Sequence, residues 1–264
     1  MKSLLLTIRL SAAFSALVLL LSTCTEEKLT IERNLLSSDN FLDREVSELR
    51  TFIGASGMQL DLDYLQFGVD IYRITYTTVY NDDEIVASAI VSLPKTTGPV
   101  PMVSFQHGTI AAHNQAPSAL PSNSTELILC SALASTGFIS VVPDYIGFGA
   151  SKDIMHPYYV EDLTASCILD AIRAARNLAG DKGINFNGDL FLAGYSQGGY
   201  ATMATHKLIE ENGSEGFNLK ASFPASGGYD VKGMQEYFFS LQLYDQPFFL
   251  AYVAQAYKAT YGWA

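Results

Sequence analysis

The chain has 264 residues, 48% of them hydrophobic and only 16% charged, a balance that builds a large core and excludes a disordered chain. Its formal net charge is −11. This excludes nucleic acid as a partner, because nothing supplies the clustered cations that phosphate neutralisation needs.

In chain order, residues 1–23 read as a signal peptide. Lys2 and Arg9 supply a positive start, and an apolar run follows that ends near Leu21. That run is too short to span a bilayer core as a helix. Leu21-Ser22-Thr23-Cys24 resembles a bacterial lipobox, which implies lipidation of Cys24. The protein is then exported and held at the membrane of the bacterial cell envelope by its lipid anchor, with free secretion as the alternative. A single acyl chain holds a membrane only marginally, so stable anchoring calls for several. Residues 24–64 form a tether and N-terminal segment, with a helix expected near 43–52.

Residues 65–227 carry the pattern of an alternating core. The stretches 69–80 and 84–93 are rich in Ile, Val, Thr and Tyr and flank Asn81-Asp82-Asp83, which predicts an antiparallel hairpin. Strands are expected at 100–106, 138–142, 189–193 and 219–225. Helices are expected at 125–136, 161–179 and 198–211. The 161–179 segment has Glu161 and Asp162 in its first turn and Gly180 as its stop. Strands alternating with helices imply parallel pairing and a sheet covered on both faces. Cys130 and Cys167 fall on helices of opposite faces, so free buried thiols are expected and not a disulfide. The tail, 228–264, has 11 aromatics among its 37 residues, and Asp245-Gln246-Pro247 predicts the start of a helix over 248–259.

Chemistry concentrates at Gly194-Tyr195-Ser196-Gln197-Gly198. A Gly-x-Ser-x-Gly match alone is weak, but here a strand runs into it and a helix starts directly after it. That is the strand–turn–helix of a nucleophile elbow, in which a strained serine exposes its Oγ above the sheet. Gly194 and Gly198 let helix and strand pass closely, and the Gln197 N–H at the helix start is one oxyanion donor. His107-Gly108-Thr109 follows the strand at 100–106. The second donor is expected at the N–H of Thr109 or Gly108, with His107 shaping the loop; as catalytic base, His107 sits on the wrong side of the serine. Asp144 after the next strand is read as a structural turn residue. His156 is read as a surface-loop histidine or a substrate contact on the same rim.

Together Tyr72-Arg73-Ile74-Thr75-Tyr76, residues 103–109 with Ala116-Pro117-Ser118, residues 143–149, Leu169-Asp170-Ala171 with Arg173-Ala174-Ala175-Arg176, and residues 193–199 resemble the α/β-hydrolase superfamily. More narrowly they are similar to the secretory lipase family and its bacterial esterase relatives. The resemblance covers about 69–230. It implies an α/β-hydrolase fold, a mostly parallel twisted sheet with helices on both faces. It further implies hydrolysis of small-molecule or lipid acyl esters through an acyl-serine intermediate, without cofactor or metal, and a helical cap that begins after Gly228.

Such a site needs an acid and a histidine that follow the serine. His206 is the one histidine after Ser196. It lies ten residues along the helix, about 15 Å up its axis, out of reach of Oγ. Asp230 is the low-ranking candidate for the acid, with a turn into the cap as the alternative. The expectation is therefore an N-terminal fragment of a longer hydrolase, C-terminally incomplete, ending inside its cap, inactive on its own and poorly soluble. Competing readings on the same fold are a serine peptidase, a carbohydrate esterase, and a non-catalytic binding protein.

Overall fold

The computed structural model describes residues 33–57, 59–213 and 215–262. The signal segment, Cys24 and the start of the tether lie outside the described residues. Seven strands form one sheet: β1 (Leu35–Arg44), β2 (Val69–Tyr80), β3 (Asp83–Pro94), β4 (Val100–Gln106), β5 (Ile139–Pro143), β6 (Phe186–Tyr195) and β7 (Asn218–Ala225), in the order β1-β2-β3-β5-β4-β6-β7. β5, β4, β6 and β7 are parallel to one another, while β1–β2, β2–β3 and β3–β5 are antiparallel. Five strands thus share one direction, and β1 and β3 run against them.

The β2–β3 hairpin turns on two residues, Asn81 at φ 50 and Asp82 at φ 69, with Tyr80 paired to Asp83. Asn and Asp tolerate this left-handed conformation better than other side-chain-bearing residues, and a pair of them matches the strand twist. Asp83 therefore belongs to β3 and not to the turn. β1 is a finding that the sequence pattern did not predict. Its register shifts between Leu35 and Ser37 and again between Asn40 and Leu42. These irregularities break the period-two alternation by which strands are read, and the sheet begins within the expected tether.

Among the described residues six α-helices accompany the sheet: α1 (Val46–Ser56), α2 (Thr125–Ser135), α3 (Glu161–Asp181), α4 (Gln197–Asn212), α5 (Val231–Ser240) and α6 (Phe248–Tyr261). α1 and α2 enclose a core with Leu49, Ile53, Ile90 and Leu127. α3 and α4 enclose the larger one with Tyr76, Met102, Ile168, Ile172 and Leu192. The apolar stripe of α3 is buried at Cys167, Ile168, Ala171, Ile172, Ala175 and Leu178, as its spacing predicts. Cys130 and Cys167 are free and buried, and burial pushes both thiols up to about 12. No helix among the described residues is long and apolar enough to cross a membrane.

α5 was not legible as a separate helix, because Gly233 interrupts its pattern. Asp230 caps it, accepting from the Gly233 N–H at 2.8 Å. That bond gives Asp230 the cap-entry role. α6 packs through Tyr252, Val253, Ala256 and Tyr257 against Tyr158 and Tyr159, while Tyr237, Phe239 and Leu243 stay exposed.

Candidate active site

β6 delivers the chain directly into Ser196, and α4 starts at the next residue. Ser196 has φ 59 and ψ −120, a sparsely populated conformation that costs on the order of 1–3 kcal/mol and persists only where the surroundings impose it. Two close approaches do so. A Cβ on Gly194 would lie 2.2 Å from the Gly198 carbonyl oxygen, and one on Gly198 would lie 1.9 Å from that of Gln106. Both glycines are required for α4 to pass against β4 and β6. The Ser196 N–H donates to the Ala225 carbonyl at 2.9 Å, tying the elbow to the end of β7.

Gln197 is the first residue of α4, so its N–H has no acceptor within the helix. The loop after β4 approaches from the other side. A Cβ on Gly108 would sit 3.8 Å from the Ser196 Cβ, so the loop brings Gly108 next to the serine. The His107 ring packs on Tyr145 with centroids 4.2 Å apart, and the Tyr145 hydroxyl donates to the His107 carbonyl at 2.9 Å. The His107 Nδ1–H donates to the Gly108 carbonyl at 2.7 Å, and burial lowers its pKa. Thr109 Oγ1 bonds the Tyr158 hydroxyl at 2.9 Å.

Ser196 opens onto a cavity of ≈ 620 Å³, within the range of small-molecule sites. Tyr159, Val231, Phe238, Phe249, Val253 and Tyr257 supply much of its wall. Five of those six come from or border α5 and α6, so the aromatic tail serves as a wall beside the serine.

His156 is not a surface-loop residue: it is buried, its Nδ1–H donates to the Ile146 carbonyl at 2.6 Å, and its Nε2 accepts from the Gln197 side chain at 2.7 Å. It is not among the residues lining the cavity. Nothing in Met155-His156-Pro157 signals this, because its partners are brought in from other segments. Asp144 is structural, but through a wider network than a local turn. It is fully buried and accepts from the Ser88 hydroxyl at 2.5 Å, from the Ser118 N–H at 2.8 Å and from the Ser118 hydroxyl. Burial raises its pKa, and the bonds from Ser118 and Ser88 oppose that rise.

His206 is engaged elsewhere, with Nδ1 2.8 Å from Ser222 Oγ and Nε2 3.0 Å from Glu210. Of the chain's four histidines, His107, His156 and His206 thus have other partners. His113 stands edge-on to Phe148, with ring centroids 6.0 Å apart.

Residues 115–214 match the secretory lipase family. No curated protein sequence matches the chain. Among solved structures, a protein from Legionella pneumophila described as a hydrolase is 26% identical with a TM-score of 0.77, covering 88% of this chain and 62% of its own. The rice cell wall degrading esterase LipA from Xanthomonas oryzae is 29% identical with a TM-score of 0.75, covering 87% and 60%. Candida antarctica lipase A shares the fold at 16% identity and a TM-score of 0.59. The chain therefore spans about three fifths of the length of the two bacterial structures. With its sheet order, its serine elbow and these likenesses, the chain is a relative of the α/β-hydrolases that resembles the secretory lipase family over residues 115–214.

Proposed function

We propose that this chain is a serine hydrolase of the lipase or esterase type, acting on carboxylic acyl esters. The observation that carries the reading is Ser196, held at φ 59 at the head of α4 and opening onto an apolar cavity. Ser196 Oγ attacks the ester carbonyl carbon and gives its proton to a base. The resulting oxyanion is held by the Gln197 N–H and by the N–H of Thr109 or Gly108. Collapse expels the alcohol with a proton and leaves an acyl-serine, which water then hydrolyses. The secretory lipase match and the esterase among the structural neighbours support an ester as substrate.

Among the described residues no hydrogen bond joins Ser196 Oγ to a histidine. A serine without a base is only weakly nucleophilic, so slow turnover is expected of the 264-residue chain. The same observation favours a second reading, a non-catalytic binding protein on a hydrolase scaffold. Export is supported by the sequence and by the secretory character of the matching family, and anchoring through Cys24 rests on the sequence alone.

Hydrolysis of a p-nitrophenyl ester series, with fluorophosphonate labelling, tests the proposal. Slow turnover and labelling that both vanish in Ser196→Ala are expected. Turnover that survives Ser196→Ala overturns the nucleophile assignment. Ester binding without labelling supports the binding protein, and a panel of peptides and acylated sugars separates peptidase and carbohydrate esterase from lipase.

A further inference from the structure

We propose that His156 is a positioning residue for the oxyanion hole: it clamps the Gln197 side chain and thereby fixes the direction of the Gln197 backbone N–H. The inference rests on the reading of Ser196 and Gln197 given above. It answers a mechanical problem at the start of α4. Gln197 is followed by Gly198 and Gly199, which the tight approach to Gln106 and Ala225 requires. Two glycines in series have no side chains of their own with which to hold the Gln197 peptide at the helix start. An oxyanion donor, by contrast, stabilises charge only where its direction is fixed beforehand.

The clamp supplies that fixation from outside the helix. Because the Ile146 carbonyl can only accept, His156 Nδ1 carries the proton and Nε2 presents a lone pair. The Gln197 Nε2–H donates to that lone pair at 2.7 Å, and Gln197 is only 2% exposed. Burial lowers the His156 pKa to about 4, so the ring keeps this neutral form near pH 7. The ring itself is caged by Phe148, Tyr252, Tyr158 and Tyr145, with centroids 5.0 to 6.0 Å away. Gly147, at φ +94, lets the chain press against His156; a Cβ there would lie 2.6 Å from the His156 Cα. Tyr158 also bonds Thr109. The same cage therefore braces both sides of the oxyanion hole, and Tyr252 ties it to α6.

The test compares His156→Phe, which keeps a ring of similar size but neither polar bond, with Gln197→Met and with the double variant. Each single change is expected to lower kcat on the order of 10- to 100-fold, because a misdirected donor behaves as a partly missing one. KM should stay within about twofold, since ground-state binding uses the cavity wall. The double variant should be no worse than the worse single, as expected for two residues acting through one bond. Thermal midpoints are measured alongside, because a purely structural His156 lowers the midpoint and leaves kcat per folded molecule unchanged. The proposal is overturned if His156→Phe retains wild-type kcat while Ser196→Ala abolishes turnover, or if the two single effects multiply.

Where turnover survives Ser196→Ala, the nucleophile reading fails and the clamp is judged separately. The same holds where wild-type turnover is too slow to resolve. The readout is then the backbone amide resonance of Gln197 in His156→Phe: a shift or broadening supports the clamp, and an unchanged signal refutes it.

Discussion

Replacing Gly198 with alanine puts the tightest contact around the serine under a defined load. The added Cβ would stand 1.9 Å from the Gln106 carbonyl oxygen, 2.6 Å from its carbon and 2.8 Å from the His107 carbonyl oxygen. All three are backbone atoms that cannot rotate away. Reaching an ordinary contact of 3.4 Å requires α4 and the loop after β4 to separate by about 1.5 Å. Gln197 rides on the first and Thr109 on the second, so the two proposed oxyanion donors move apart by a similar amount. A misplacement of about 1 Å costs roughly 100-fold in rate, and overpacking costs about 1–3 kcal/mol in stability. For a domain of this size that corresponds to a fall of roughly 3–10 °C in thermal midpoint. Scanning calorimetry and fluorophosphonate labelling of Gly198→Ala read the two effects. Gly180→Ala is the control. It lies in α3 with no atom within 4 Å of the added Cβ, and it should be neutral or stabilise by up to about 1 kcal/mol. A Gly198→Ala protein with the wild-type midpoint and labelling rate would refute the close-packing account of the elbow.

Two further outcomes follow from the buried titratable groups. The His156 pKa is lowered to about 4 by burial, against about 6.5 in an unfolded chain. Between those values the unfolded state binds the extra proton, so stability is lost as pH falls from about 6.5 towards 4, by roughly 3 kcal/mol. His107, also lowered, acts in the same direction, whereas the raised Asp144 destabilises the fold as pH rises above its unfolded pKa. Urea midpoints of wild type and His156→Phe across pH 4 to 7 isolate the histidine, and equal slopes would refute its contribution. Asp144→Ala leaves Ser88 Oγ, Ser118 N–H and Ser118 Oγ without their buried acceptor. It should cost about 3 kcal/mol or more, and Asp144→Asn less, by the same measurement.

The elbow was legible because all its determinants are local: a strand, a five-residue glycine turn and a helix follow one another in sequence. The hairpin, α3 and the strand–helix alternation were legible for the same reason, since period and capping are carried by neighbouring residues. β1 was not, because its register shifts erase the period, and α5 was not, because Gly233 breaks it. Asp144 was recognised as structural, yet its partners Ser88 and Ser118 lie 56 and 26 residues away. His156 was misread as exposed, because a histidine in a loop carries no local sign that Gln197, 41 residues on, will close over it.

The sequence by itself determined the class of fold, the strained serine and the two strand ends that flank it. Hydrophobic period, glycine placement and helix starts act over a few residues, so they can be read in line. Only the tertiary structure decided what surrounds that serine: the aromatic wall from α5 and α6, the buried Asp144 network and the His156–Gln197 bond. Each depends on side chains from separate elements meeting in a closed core. There the cost of an unpaired polar group selects partners by proximity in space and not by distance along the chain.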